Sequence, residues 1–346
     1  MSMMSEEEVV IIGAGVAGLA CARELSRAGL RPVVLEKARG VGGRCATRRV
    51  EDQPVDHGVL FLHGADPEFA AEVEAVDSPR IPGWPQRVDG TGSPCQPDAF
   101  AARQRRWAFP AGITAFPKHL AQGLDVRLNT PVREIRPEPE ALVVRTGAGE
   151  ALRGRTLVLA LPLEQTAALL EGMDPSGVEM AGMVRMLRMM STVPCLTLLA
   201  GYPREASAPP WDVCYPEDSP VLQLVSHDSA KRARHRFHCL VYQARPRWSH
   251  DRLEKPPETW GAEILEEAEH RLGPWAGRPV WVQTHRWRHA RVDAGNELAG
   301  PVLCELDGGV RLGLAGELFS PGGGVEAAWG SGRRLGKRIL EKGEAR

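Results

Sequence analysis

Residues 9–18 read Val9-Val10-Ile11-Ile12-Gly13-Ala14-Gly15-Val16-Ala17-Gly18, an apolar β-type run that breaks into a G-x-G-x-x-G spacing. A strand that turns at glycine and opens a helix is the setting in which this spacing binds the pyrophosphate of a dinucleotide. Gly13 makes the turn, Gly15 lets backbone approach the phosphates, and Gly18 lets the helix pack closely. Ala14, Val16 and Ala17 complete the turn and the helix start, whose N-terminus carries partial positive charge. The helix runs to about Ala28 with Ala17, Cys21, Leu25 and Ala28 on one face, small enough to lie close to a sheet. Pro32 to Glu36 is the next strand. Glu36, eighteen residues beyond Gly18, is placed to accept hydrogen bonds from a ribose, with Lys37 beside it. By itself this βαβ unit serves either NAD or FAD.

Clear periodicity ends after Gly43, and the Pro- and Gly-rich stretch Asp77–Pro97 reads as a surface excursion. Order returns at Trp107–Gly112, followed by a helix at about Thr114–Gln122. Strands are expected at Val126–Leu128, Val132–Ile135, Ala141–Arg145 and Thr156–Leu161, the last stopped by Pro162. From Glu164 to Asn296 the pattern changes to a long helical stretch, β-type runs such as Cys195–Leu199 and Phe237–Tyr242, and a charged helix at Trp260–Arg271. The end returns to a strand, Val310–Ala315, and a helix, Val325–Leu340. The expected fold class is α/β, with a discontinuous nucleotide domain at 1–76, 108–163 and 297–346. A second, α+β substrate domain takes 77–107 and 164–296.

The length of 346 residues suits two domains, and the 43% apolar and 25% charged shares are those of globular chains. With 43 basic against 44 acidic residues and no cationic block, nothing here fits a nucleic acid or an anionic membrane. The seven cysteines, Cys21, Cys45, Cys95, Cys195, Cys214, Cys239 and Cys304, lack a CxxC pair, which argues against disulfides or a metal site and for a cytoplasmic location. Val9–Ala22 is preceded by Glu6, Glu7 and Glu8, where a signal peptide needs positive charge. No apolar run reaches membrane-spanning length.

Two further segments narrow the cofactor. Arg39-Gly40-Val41-Gly42-Gly43-Arg44-Cys45-Ala46-Thr47 sets paired glycines and an arginine close after Glu36. Near the end, Leu314-Ala315-Gly316-Glu317 brings a strand to a carboxylate, and Ser320-Pro321-Gly322-Gly323-Gly324-Val325-Glu326 feeds a helix. These elements, in this order, resemble the flavin amine oxidase superfamily. The resemblance implies a Rossmann-type FAD-binding domain of the glutathione reductase/p-hydroxybenzoate hydroxylase-like class, holding FAD non-covalently. On this resemblance Gly43 and Arg44 border the pyrophosphate, Val132 touches the adenine through its backbone, and Gly58 joins the cofactor contacts. Gly316 and Glu317 approach the ribityl chain, and Gly324 and Val325 open a helix whose N-terminus would stabilise charge on the reduced flavin. The superfamily usually carries Asp where this chain has Glu317.

Amine oxidases of the superfamily typically use a strand lysine near the flavin and an aromatic pair around the amine. Neither is expected among Lys37, Lys118, Lys231, Lys255, Lys337 and Lys342 or near Gly324. Val55-Asp56-His57-Gly58, Phe109-Pro110-Ala111-Gly112-Ile113, Leu224-Val225-Ser226-His227-Asp228-Ser229 and His285-Arg286-Trp287-Arg288-His289-Ala290 resemble the renalase-like branch. That branch oxidises isomeric dihydro forms of NAD(P), passing a hydride to flavin and electrons to oxygen, with hydrogen peroxide released. On this reading Trp287 shapes the slot for a small-molecule substrate, a dihydropyridine nucleotide. Arg288 and His227 then offer donors to its carboxamide or phosphate. Two alternatives stay open: an oxidase or desaturase of an amine or hydrophobic substrate, and a non-catalytic nucleotide-binding protein.

Overall fold

A computed structural model describes residues 4–89, 94, 97–173, 178–206 and 208–344. Cys95 and part of the Asp77–Pro97 excursion lie outside the described residues. The chain divides into two compact units, one of residues 1–43, 116–192 and 291–346, the other of residues 44–115 and 193–290.

The first unit is built on a sheet whose centre is Met4–Ile12, parallel to Val33–Leu35 on one side and to Ala151–Leu159 on the other. Val9 to Ile12 are all buried, the continuous apolar pattern of a parallel strand covered on both faces. Ala151–Leu159 is shared along its length. Its first half pairs antiparallel with Ala141–Thr146, and its second half runs parallel to Val310–Leu314. Asp125–Arg127 extends the sheet beyond Val33–Leu35, so that the βαβ unit read from residues 9–36 lies near its middle.

The second unit contains a six-stranded sheet in the order Trp281–Val292, Thr192–Tyr202, His238–Ala244, Leu222–His227, Val213–Cys214, Val88–Asp89. Alternation along Thr192–Tyr202 feeds two cores. Leu196, Leu198, Ala200 and Tyr202 pack under Trp260, Ile264 and Ala268 of the helix Pro257–Leu272, whereas Leu199 joins Val241, Val55, Leu60 and Phe61. A hairpin, Thr47–Val50 with Gln53–Asp56, turns through Glu51 and Asp52, both at positive φ as a type I′ turn requires.

The compact units depart from the sequence boundaries at residues 44–76, 108–115, 164–192 and 291–296, and packing accounts for the two longest of these. The helices Leu163–Glu171 and Val178–Arg188 go with the first unit, because Leu163, Leu170, Met183 and Leu187 share a core with Ile135, Leu142 and Val144. Residues 44–76 go with the second, because Val50, Val55, Leu60 and Phe61 pack with Leu199 and Val241. The small face of the first helix, Val16–Arg27, also meets a different neighbour from the one expected. A Cβ on Gly332 of the last helix, Gly324–Glu344, would stand 2.0 Å from the carbonyl oxygen of Ala17, so the tightest approach on that face is helix to helix. Among the described residues no helix is long and apolar enough to cross a membrane.

Candidate functional site

In the first unit the glycine loop has little steric slack on its sheet side and ample space on the other. Gly13 sits at φ +105°, where a Cβ would stand 2.5 Å from the carbonyl oxygen of Ala160. A Cβ on Gly18 would stand 2.0 Å from the carbonyl oxygen of Gly13, whereas one on Gly15 would meet nothing within 4 Å. Gly15 caps the helix Val16–Arg27 without a side-chain hydrogen bond, so no side chain of the cap residue occupies the helix start. The buried carboxylate of Glu36 accepts from the amides of Ala14 at 2.9 Å and Ala38 at 2.8 Å, locking loop and strand end together. Gly42 donates to the Ala14 carbonyl at 2.8 Å, which lays the second glycine segment on the first. Lys37 extends outward to Gln165, at 3.1 Å.

A second glycine loop, Gly322–Gly324, has φ values of +88°, +62° and +76° and enters the last helix. One Glu317 oxygen accepts from the Gly324 amide at 2.8 Å and the other from the Val292 amide at 3.4 Å, so this carboxylate fixes the entry to the helix at Val325. Gly316 donates to Ser331 Oγ at 3.2 Å, pinning the strand end to the same helix. Val132 begins the strand Val132–Glu138 and is half-buried beside the main core. An uncapped helix start, space where a Cβ would stand at Gly15, and a buried carboxylate suit a flavin adenine dinucleotide.

In the second unit planar rings gather on one face of the strand Trp281–Val292. Trp287 Nε1 donates to the His57 carbonyl at 3.0 Å. Its indole stacks on the His57 ring at 5.4 Å with a 30° tilt, and the His285 ring lies 4.2 Å away. Gly58 leaves room for them, since a Cβ there would stand 2.9 Å from Trp287 Cζ2 and 2.1 Å from the Arg44 carbonyl. Arg44 donates to the Ala290 carbonyl at 3.2 Å, and Arg48 reaches Gln283 at 3.0 Å and the His285 Nδ1 at 3.3 Å. Burial, then His285 and Arg48, bring the His57 imidazole down to about 3; burial and Arg48 bring His285 down to about 4. Both rings are therefore neutral near pH 7, and the guanidinium groups of Arg44 and Arg48 are charged side chains that meet this strand.

Behind the rings lies a buried ionic quartet. Lys231 Nζ is 2.6 Å from Asp56 Oδ2 and 2.5 Å from Asp228 Oδ1, and Arg232 Nη2 is 3.3 Å and 3.0 Å from the same two residues. Asp56 also accepts from the Ile113 amide at 2.8 Å and Thr47 Oγ1 at 2.7 Å. Burial opposes its ionisation, but Lys231, Arg232 and the Ile113 amide outweigh it and hold the Asp56 carboxyl below the usual range.

The structure thus brings Arg44, Gly58 and Trp287 together and sets His227 and Arg288 elsewhere. Strand alternation puts Arg288 on the face opposite Trp287, where it forms an exposed bidentate pair with Glu254. His227 is buried beside His238, with ring centroids 5.5 Å apart. Burial, then His238, His235 and Arg87, bring it down to about 4. Arg48, His57, His285 and the quartet were not singled out as site residues from the sequence. Asp56, His57, Asp228 and His285 lay within stretches that carried the family resemblance, and Asp228 stands three and four residues before Lys231 and Arg232, but nothing local joined them into one site. The three tyrosines, Tyr202, Tyr215 and Tyr242, are core residues, and Tyr202 and Tyr242 are hydrogen-bonded to each other at 2.8 Å. Among the described residues no group of three or more His, Cys, Asp or Glu is placed to hold a metal ion.

Residues 95–340 match the family of flavin containing amine oxidoreductases, and residues 11–74 match the NAD(P)-binding Rossmann-like domain. Pseudooxynicotine dehydrogenase of a Pseudomonas species is 41% identical over 66 residues, 19% of this chain and 13% of that protein. Polyamine oxidase 4 of Oryza sativa subsp. japonica is 43% identical over 60 residues, 17% of this chain and 12% of that protein. The matched stretch is thus a small part of either relative. Among solved structures, putrescine oxidase bound to putrescine superposes with a TM-score of 0.72 at 15% identity, covering 98% of this chain and 100% of that one. Cyclohexylamine oxidase from Brevibacterium oxydans IH-35A gives 0.72 at 15% identity, covering 98% and 99%. These last two likenesses are of fold. With most of its length accounted for in this way, the chain belongs to the flavin-containing amine oxidoreductase family.

Proposed function

We propose that this enzyme is a renalase-like oxidase whose substrate is a flat, anionic dihydropyridine nucleotide rather than an ammonium ion. The observation that carries the reading is the character of the Trp287 site: stacked planar rings, two neutral imidazoles, and the guanidinium groups of Arg44 and Arg48. An amine reaches an oxidase as a cation, which such a group repels, whereas a nucleotide brings phosphates that arginine binds in a fork. The burial of all three tyrosines in the core supports the same choice, because none is left to wall an amine.

Val16 and Ala17 amides at the helix start, with Gly13, Ala14, Gly15 and Gly18 around them, would hold the FAD pyrophosphate, bordered by Gly43 and Arg44. Glu36 would take the ribose, Lys37 its rim, Val132 the adenine, and Gly316, Glu317, Gly324 and Val325 the ribityl and ring end. Bound FAD supplies a two-electron acceptor that dioxygen reoxidises with release of hydrogen peroxide. The protein's share is positioning: Trp287 orients a flat ring, and Arg48 holds an anionic group in place.

Trp287→Ala is expected to keep its FAD and to slow flavin reduction by 6-dihydro-NAD(P) about tenfold. Unchanged reduction kinetics would remove Trp287 from the site. A second reading, oxidation of an amine, is favoured by the putrescine and cyclohexylamine oxidases of like fold. Charge separates the two: Arg48→Gln weakens binding of a nucleotide and leaves an amine unaffected or better bound.

A further inference from the structure

Nothing in the reading above uses the quartet, although Lys231, Asp56 and Asp228 have no exposed side-chain surface. Buried ion pairs are poor sources of net stability, because the cost of desolvating the charges rivals their attraction. Their best-attested use is to fix one arrangement among several. The arrangement fixed here can be named. Lys231 Nζ binds the Asp56 carboxylate at 2.6 Å and the Leu60 carbonyl at 3.0 Å, so one ammonium grips the chain on both sides of residues 57–59. Arg232 adds the Pro54 carbonyl at 3.2 Å and the Phe109 carbonyl at 3.0 Å. Within the gripped segment are the His57 carbonyl that receives the Trp287 indole N–H and the Gly58 carbonyl that receives Gln243 Nε2 at 2.7 Å. Gly58 has no room to shift toward Arg44 or Trp287.

We infer that the Asp56–Asp228–Lys231–Arg232 quartet is a clamp that positions the Trp287 indole by holding the His57–Gly58 backbone from both ends. These are positioning residues, acting through backbone that Trp287 touches. The inference takes its functional weight from the reading of Trp287 as a wall of the substrate site, but its test does not depend on that reading.

The test is the ¹⁹F spectrum of protein labelled with 5-fluorotryptophan, in which the line lost on Trp287→Phe belongs to Trp287. Asp228→Asn with Lys231→Met removes one charge of each sign. It is expected to shift or broaden the Trp287 line together with that of Trp84, whose ring lies 4.8 Å from the Lys231 ammonium. Thr47→Val, which removes one donor to Asp56 without touching a charge, is expected to move the Trp287 line less, and Thr47→Ser to restore it. A Trp287 line that stays in place in both variants, while Trp84 alone responds, would overturn the clamp. If the paired variant does not fold, the Thr47 pair decides the matter alone. Normal reduction kinetics in Trp287→Ala would instead refute the site reading and leave the clamp standing.

Discussion

The glycine loop of the first unit and the Trp287 site of the second are made of different materials. Between Gly13 and Gly18 the working groups are backbone amides, and what matters is where a Cβ would fit: 2.0 Å from a carbonyl at Gly18, open space at Gly15. Around Trp287 the working groups are side chains drawn from residues 44–58 and 281–290, and what matters is burial and charge. A site of the first kind should respond to shape and ignore pH. A site of the second kind should respond to protonation and charge, and tolerate shape changes outside its packed face.

The largest effect that would sharpen this contrast is Gly18→Ala. The new methyl would collide with backbone that cannot move aside, and purified protein is expected to lose nearly all bound flavin, read from the ratio of flavin to protein absorbance. A fully yellow variant would break the account of the loop. Next comes Gly58→Ala, where overpacking against Arg44 and Trp287 is expected to cost about 1–3 kcal/mol in urea unfolding. Flavin reduction should also slow while the cofactor is retained.

A pH effect follows in size. His57, His227 and His285 are held below their ordinary value, down to about 3, 4 and 4, so they are neutral in the folded protein and charge more readily once unfolded. Between the unfolded value near 6.5 and these folded values the unfolded state binds more protons, so this stabilisation is complete above that window. It is lost as pH falls through the window. The thermal midpoint should therefore drop between about pH 6.5 and 4, with a shallower slope in His57→Gln. Equal slopes would show that His57 ionises freely in the folded state. The smallest effect is expected from Arg288→Ala, because its partner Glu254 is exposed and such pairs contribute little. Its melting curve should overlie that of the parent.

The same contrast explains what could be read from the chain alone. A backbone-built loop is contiguous, so Gly13–Gly18 and Gly322–Gly324 each announce themselves within a single short stretch of sequence. A side-chain site is assembled by the fold: Arg48 meets His285 across 237 positions and Lys231 meets Asp56 across 175, distances over which no local pattern operates. Arg288 shows the opposite failing, since its place beside Trp287 in sequence puts it on the other face of the strand. The stretch from Glu164 read as helical, but nothing in its sequence showed which core would cover it, hence its expected place in the second domain. Glu51 and Asp52 turn a hairpin without the Asn-Gly signal that would have revealed it.

Anaerobic stopped-flow mixing of the yellow enzyme with 6-dihydro-NAD(P), 2-dihydro-NAD(P), ordinary NADH and a panel of amines tests the central claim most directly. The account predicts rapid loss of the oxidised-flavin band with an isomeric dihydronucleotide and none with the amines. Bleaching by an amine alone would contradict it and make the enzyme an amine oxidase like those whose fold it shares.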